Sequence, residues 1–198
     1  MKNNLYKSLK FGTKKRFRIL FIASLLLFSC VKQSEISNDF NCEKSAYSNL
    51  ENVEDIKNLF SLKLPKNWKI NLYQDESQSS IFAADTTKQL TETVLIDVTF
   101  IKNKITFDDV FMLQQEQENL TKGLIKIKSK EITLLEKPSF YTIYKGKKGA
   151  FLYQTCHTFI KINAENFILA KTEIYGDSLV NERFCNSFSL IENIKIHP

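Results

Sequence analysis

Cys30, Cys42, Cys156 and Cys185 have the widest chemical range of any side chains in this 198-residue chain. A thiol can be acylated, oxidised to a disulfide, held on a metal or used as a nucleophile, and its context separates these fates. Metal binding has no support. CxxC, HxxxH and HExxH spacings are missing, and the only histidines are His157 and His197. Cys156-His157 has the residue types of a nucleophile and its base. Neighbours on a strand point to opposite faces, however, so the imidazole turns away from the thiol. Asp108-Asp109 is explained by the positive first turn of a helix. Gly146-Lys147-Lys148-Gly149 lacks the spacing and following helix of a phosphate loop and reads as a hairpin turn. No G-x-S-x-G elbow occurs. The chain therefore reads as a non-enzyme, with no catalytic residue, metal or cofactor assigned.

The thiol with the clearest context is Cys30. Basic residues run to Arg18, ten mostly apolar residues follow (Ile19 to Phe28), and the run closes on Leu27-Phe28-Ser29-Cys30. The apolar stretch suits a signal peptide and is too short to span a bilayer, which takes about 20 residues. The closing residues resemble a bacterial lipobox, although Phe28 is bulkier than the small residue usual there. The resemblance implies diacylglyceryl transfer to the Cys30 thiol, cleavage before Cys30 and acylation of the new amine. Several acyl chains together give stable anchoring, each buried methylene adding about 0.8 kcal/mol. Val31 in the next position leans, by resemblance to the enterobacterial sorting rule, towards the outer membrane over the inner one.

Charge supports export over nucleic-acid binding. The formal net charge is +6, from 28 basic and 22 acidic residues. Seven of the basic residues, and no acid, lie in residues 1–29; 28 less 7 leaves 21 against 22. The positive balance thus belongs to the leader, and a nucleic-acid partner loses its support. The division is residues 1–29 as signal peptide, 30–50 as lipidated cysteine and flexible tether, and 51–198 as the folded domain.

The elements within that domain follow from periodicity. The segment Glu51–Phe60 reads as a short helix. Ser61–Pro65, Lys69–Tyr73 and Ser80–Ala84 alternate like strands, as does the stretch in which Val94, Ile96, Val98 and Phe100 share one face. Thr106 is placed to cap a helix with an apolar stripe of Phe107, Val110, Leu113 and Leu120, ended by Gly123. Ile125 to Leu134 is a strand whose apolar parity changes beyond Glu131, which predicts a bulge. In this reading Lys126, Lys128 and Lys130 share one face, either solvated or meeting an anionic surface. Phe140–Lys145 continues the sheet, and Phe151–Ile162 with Phe167–Tyr175 forms a hairpin. A last helix, capped by Asp177 or Ser178, buries Val180, Phe184, Phe188 and Ile191. The fold class is α+β, an antiparallel sheet flanked by helices.

Leu62-Lys63-Leu64-Pro65-Lys66-Asn67-Trp68, Glu173-Ile174-Tyr175-Gly176 and Ser187-Phe188, in this order of elements, resemble PsbP-like proteins. The resemblance implies an α/β/α sandwich. It also implies a protein-binding or assembly role in place of catalysis, since members mostly bind or help assemble other proteins. The expected partners are a membrane, reached through the lipid anchor, and an envelope protein. A carrier of a small apolar ligand and an unrecognised enzyme remain as alternatives. For the remaining thiols, Cys156 with Cys185 is a possible disulfide, closing about 30 residues for a nominal 3–4 kcal/mol. Two buried thiols, or Cys42 paired with either one, stay open.

Overall fold

The computed structural model describes residues 33–43 and 47–197. Its element order is α1 (Glu35–Asp39), β1 (Leu50–Glu54), β2 (Phe60–Pro65), β3 (Lys69–Gln74), β4 (Gln78–Ala84), β5 (Leu95–Ile101), α2 (Asp109–Leu120), β6 (Ile125–Leu134), β7 (Lys137–Lys148), β8 (Phe151–Lys161), β9 (Phe167–Tyr175), α3 (Val180–Ile191) and β10 (Lys195–Ile196). Seven strands form one antiparallel sheet in the order β3-β4-β5-β9-β8-β7-β6, and β1-β2-β10 form a second. The large sheet carries α2 on one face and α3 on the other, as the α+β reading expected.

The β5 strand shows why the alternating segments were legible. Ile96, Val98 and Phe100 are buried and face α3, while the intervening residues are half-buried. The core on that side joins the α3 side chains Phe184, Phe188 and Ile191 to Ile168, Ala170 and Ile174 of β9. Thr172 and Ser187 hydrogen-bond across the same interface at 2.8 Å. Val180 only borders this core. Leu179, at φ 50° and without a side-chain cap hydrogen bond, occupies the N-cap in place of Asp177 or Ser178.

The expected helix over Glu51–Phe60 is instead the β1–β2 hairpin. Its turn is built by Asp55, whose carboxylate accepts hydrogen bonds from the backbone N–H groups of Lys57, Leu59 and Phe60 at 2.9, 2.7 and 2.8 Å. Asn58 turns at φ 54°. A short acidic side chain that captures these donors competes directly with the helical ladder.

The α2 helix is present but rotated from its expected face. Asp108, not Thr106, is the cap, accepting from Phe111 N at 2.9 Å. Phe107, Phe111 and Met112 pack on Phe140, Phe159 and Phe167. Val110, Leu113 and Leu120 are consequently 74%, 57% and 51% exposed. Phe107 and Met112 bracket the cap as a hydrophobic staple, which sets the entry angle and hence the buried side.

The bulge in β6 also falls earlier than the parity change indicated, between Lys126 and Lys128. It separates the three lysines. Lys126 pairs with Glu116 of α2, whereas Lys128 and Lys130 emerge on the opposite face beside α1. They therefore do not form one basic face. Lys128 lies over the rings of Phe40 and Tyr141, and Lys130 pairs with Asp39.

Residues 34–42 are not a free tether. Ile36 is buried, and Phe40 packs edge-on against Phe184 and Phe188. The Ser34 and Ser37 hydroxyls donate to Glu192, and Glu35 accepts from Thr133 N at 3.0 Å. Asp39 accepts from Tyr141 Oη at 2.8 Å and from Lys130, which holds its carboxyl below the usual range. Cys42 is bonded to Cys185. The possible Cys156–Cys185 pairing is thus corrected. Cys156 on β8 is a free, buried thiol under α3, and the chain segment carrying Cys42 is brought to α3 by the Ile36 and Phe40 contacts.

Arg183 fastens α3 to the strand ends. Its Nη1 donates to the carbonyls of Thr93 and Tyr175 at 3.1 and 2.9 Å within the core. Arg183→Ala is expected to cost about 2–3 kcal/mol by leaving both acceptors buried and unpaired. An unchanged urea midpoint would disprove that role.

Candidate functional site: a lysine-lined pocket beside alpha 2

On the α2 side of the sheet the residues beyond the phenylalanine cluster are polar. The strand register builds them into rows. Asp97 (β5), Lys171 (β9), His157 (β8) and Thr142 (β7) lie side by side, and Glu173, Thr155 and Tyr144 form the next row. Side chains two apart along a strand share a face, so Tyr153 and Tyr175 complete a third row.

The roof over these rows comes from the end of α2. Gly123, at φ 71°, turns the chain after the helix, and Leu124 N bonds back to Asn119 O at 2.9 Å. Leu124 then packs with Tyr144, Tyr153 and Tyr175. This return runs so close to β7 that a Cβ on Gly146 would lie 2.4 Å from Gly123 O. The Gly146-Lys147-Lys148-Gly149 segment is therefore a strand end and hairpin turn, as expected, with its first glycine needed for a close backbone approach.

Between roof and rows lies a half-open pocket of about 270 Å³. Its lining includes Lys122, Lys147, Lys148 and Lys171 but one acid, Glu173. Lys148 is engaged already, bonding Glu173 at 3.1 Å and lying over the rings of Tyr153 and Tyr175. Burial works against the Lys148 charge, yet Tyr175 and the Glu173 carboxylate outweigh it and raise its pKa. Burial, then Glu173, also pushes the Tyr153 phenol up, so it stays protonated.

His157 forms the floor. It is 8% exposed, with its ring 5.5 Å from that of Tyr144 and 6.5 Å from that of Phe159. Desolvation, reinforced by Lys171 and Lys122, lowers its pKa to about 3, so the imidazole is neutral. Cys156 points to the other face as expected. Burial pushes its thiol up to about 12, which leaves it a small hydrophobe without nucleophilic character. The structure thus separates the Cys156-His157 pair. It brings His157 together with lysines from three places in the chain, a grouping visible only through the strand register.

Cys30 lies outside the described residues. Among those described, no group of three or more His, Cys, Asp or Glu side chains could hold a metal, and no helix is long and apolar enough to cross a membrane. The pocket does not have the closed apolar lining expected of an apolar-ligand carrier.

No protein-family model matches the chain, and no curated protein matches it. Among solved structures it is similar to the cyanobacterial PsbP protein CyanoP of Synechocystis sp. PCC 6803, with 11% identity and a TM-score of 0.55 over 79% of this chain and 97% of that one. It is also similar to a variant of the protein Mog1, with 11% identity and a TM-score of 0.50 over 75% of this chain and 96% of that one. At these identities the likeness is one of architecture, and the chain has the PsbP/Mog1-like α+β fold.

Proposed function

We propose that this protein is a non-catalytic cell-envelope module, anchored to a membrane through an acylated Cys30, that binds or helps assemble another envelope protein. The observation that carries the reading is the Cys42–Cys185 bond. Structural disulfides form and persist in oxidising compartments outside the cytosol. That agrees with a leader ending in Leu27-Phe28-Ser29-Cys30 and with outer-membrane sorting through Val31. The exposed Val110, Leu113 and Leu120 on α2 offer apolar contact area to a partner.

The anchoring step is testable in cells. Cys30→Ala should abolish incorporation of a labelled fatty acid and move the protein from the membrane fraction to the soluble fraction or to an uncleaved precursor. Undiminished acyl labelling of that variant would refute the assignment. Crosslinking in intact envelopes, with photoreactive residues at positions 110 and 113, should then capture one discrete partner. Absence of any crosslink from either position would count against docking on α2.

A further inference from the structure

The lysine-lined pocket has no part in the anchoring or docking reading, yet it has the makings of a binding site. Lys122, Lys147 and Lys171 have no ion-pair partner among the described residues. Asp97 flanks Lys171 on the far side across the β5–β9 register without pairing with it, and Glu173 is occupied by Lys148. Three lysines without an ion-pair partner among the described residues therefore line a concave surface whose one acid is already paired. At its floor the His157 imidazole is more than nine-tenths buried, and no hydrogen bond joins it to another of the described residues. A neutral imidazole must present one N–H donor, and with His157 lining the pocket that donor is available to a ligand.

We propose that this pocket binds a small oxyanion, a phosphate ester or a carboxylate, with Lys122, Lys147 and Lys171 neutralising its charge and the His157 N–H donating to one of its oxygens. An oxyanion suits both features at once: it offsets the charge of the lysines and supplies an acceptor for the imidazole N–H. A metal cation meets repulsion from the same groups, and an apolar ligand leaves the imidazole unpaired. The volume is below the 300–1,000 Å³ typical of pockets for drug-sized ligands, so the ligand is a compact one. The anionic group could belong to a soluble metabolite or to a lipid headgroup; the chemistry at the pocket is the same.

The test uses the full chain in nanodiscs of zwitterionic phosphatidylcholine, with inorganic phosphate as the probe. Phosphate added at constant ionic strength should shift the His157 ring nitrogen signals saturably. Lys171→Gln and Lys122→Gln should each weaken that binding about tenfold, the effect of losing one charged hydrogen bond. Lys126→Gln, whose partner is Glu116 outside the pocket, should leave it unchanged. His157→Gln, which retains a neutral N–H donor, should bind more tightly than His157→Leu. Nanodiscs containing phosphatidylglycerol separate the sources. A headgroup ligand shifts the His157 signals there without added phosphate, and a soluble ligand leaves them in place until phosphate is added. No saturable shift in either lipid, or equal affinity in wild type and Lys171→Gln, overturns the proposal.

Discussion

Cys185→Ala should lower the unfolding free energy by about 5 kcal/mol. The Cys42–Cys185 bond closes a sequence separation of 143 residues, nearly the whole folded body. Loop-closure entropy grows slowly with length, and a loop of this size gives about 5 kcal/mol by the chain-entropy relation. That is a large share of the 5–15 kcal/mol typical of a domain. The loss should appear as a lower guanidinium midpoint, and reductant should shift the wild type to the same value. Amide exchange over residues 35–42 should accelerate more than exchange in β8 and β9, because the bond holds the first of these directly. Cys156→Ala should leave the disulfide in place and cost far less, since it removes only a small buried sulfur. If reductant leaves the wild-type midpoint where it was, the bond does not have this role.

Acid should destabilise the protein through His157 before most carboxylates titrate. In the unfolded chain the imidazole takes a proton near pH 6.5, whereas in the fold its pKa is lowered to about 3. Lys171 on β9 and Lys122 after α2 add to the burial that causes this, and Tyr144 on β7 offers a neutral ring. Below pH 6.5 the unfolded state therefore binds a proton that the folded state refuses. Stability is complete above pH 6.5, falls as pH drops, and stops falling near pH 3. The full loss is roughly 5 kcal/mol. Urea midpoints for wild type and His157→Gln should run parallel above pH 7 and diverge between pH 6 and pH 4, the wild type falling faster. His157 ring signals should stay flat from pH 5 to pH 8. A midpoint near pH 6 in that titration would mean that the ring is open to water.

Strands with one buried and one half-buried face, such as β5 and β9, were legible because a period of two survives whatever packs on them. Stretches whose side chains bond their own backbone were not. Asp55 turns an apparently helical run into a hairpin through three hydrogen bonds that no apolar pattern records. In α2 the existence of the helix followed from its residues, but its orientation did not. The stripe of Val110, Leu113 and Leu120 is as regular as the buried one, and only the Asp108 cap with its Phe107 staple selects between them. The Lys126–Lys128 bulge shows the same limit at a smaller scale, since one extra residue sent two lysines to the opposite face. Cysteine pairing needed the position of α1, a five-residue helix too short for periodicity to register. The pocket was less legible still, because Lys122, Lys147, His157 and Lys171 are neighbours only once four strands and a helix end are in register.

The docking of α1 also makes a short stretch of chain into a lid on the aromatic core. Phe40 covers Phe184 and Phe188, and Ser34 and Ser37 fasten the stretch to Glu192. A protein trimmed before residue 43 would bare those rings to water and lose its disulfide in the same cut, so the folded body begins at Ser34 and not at the first strand.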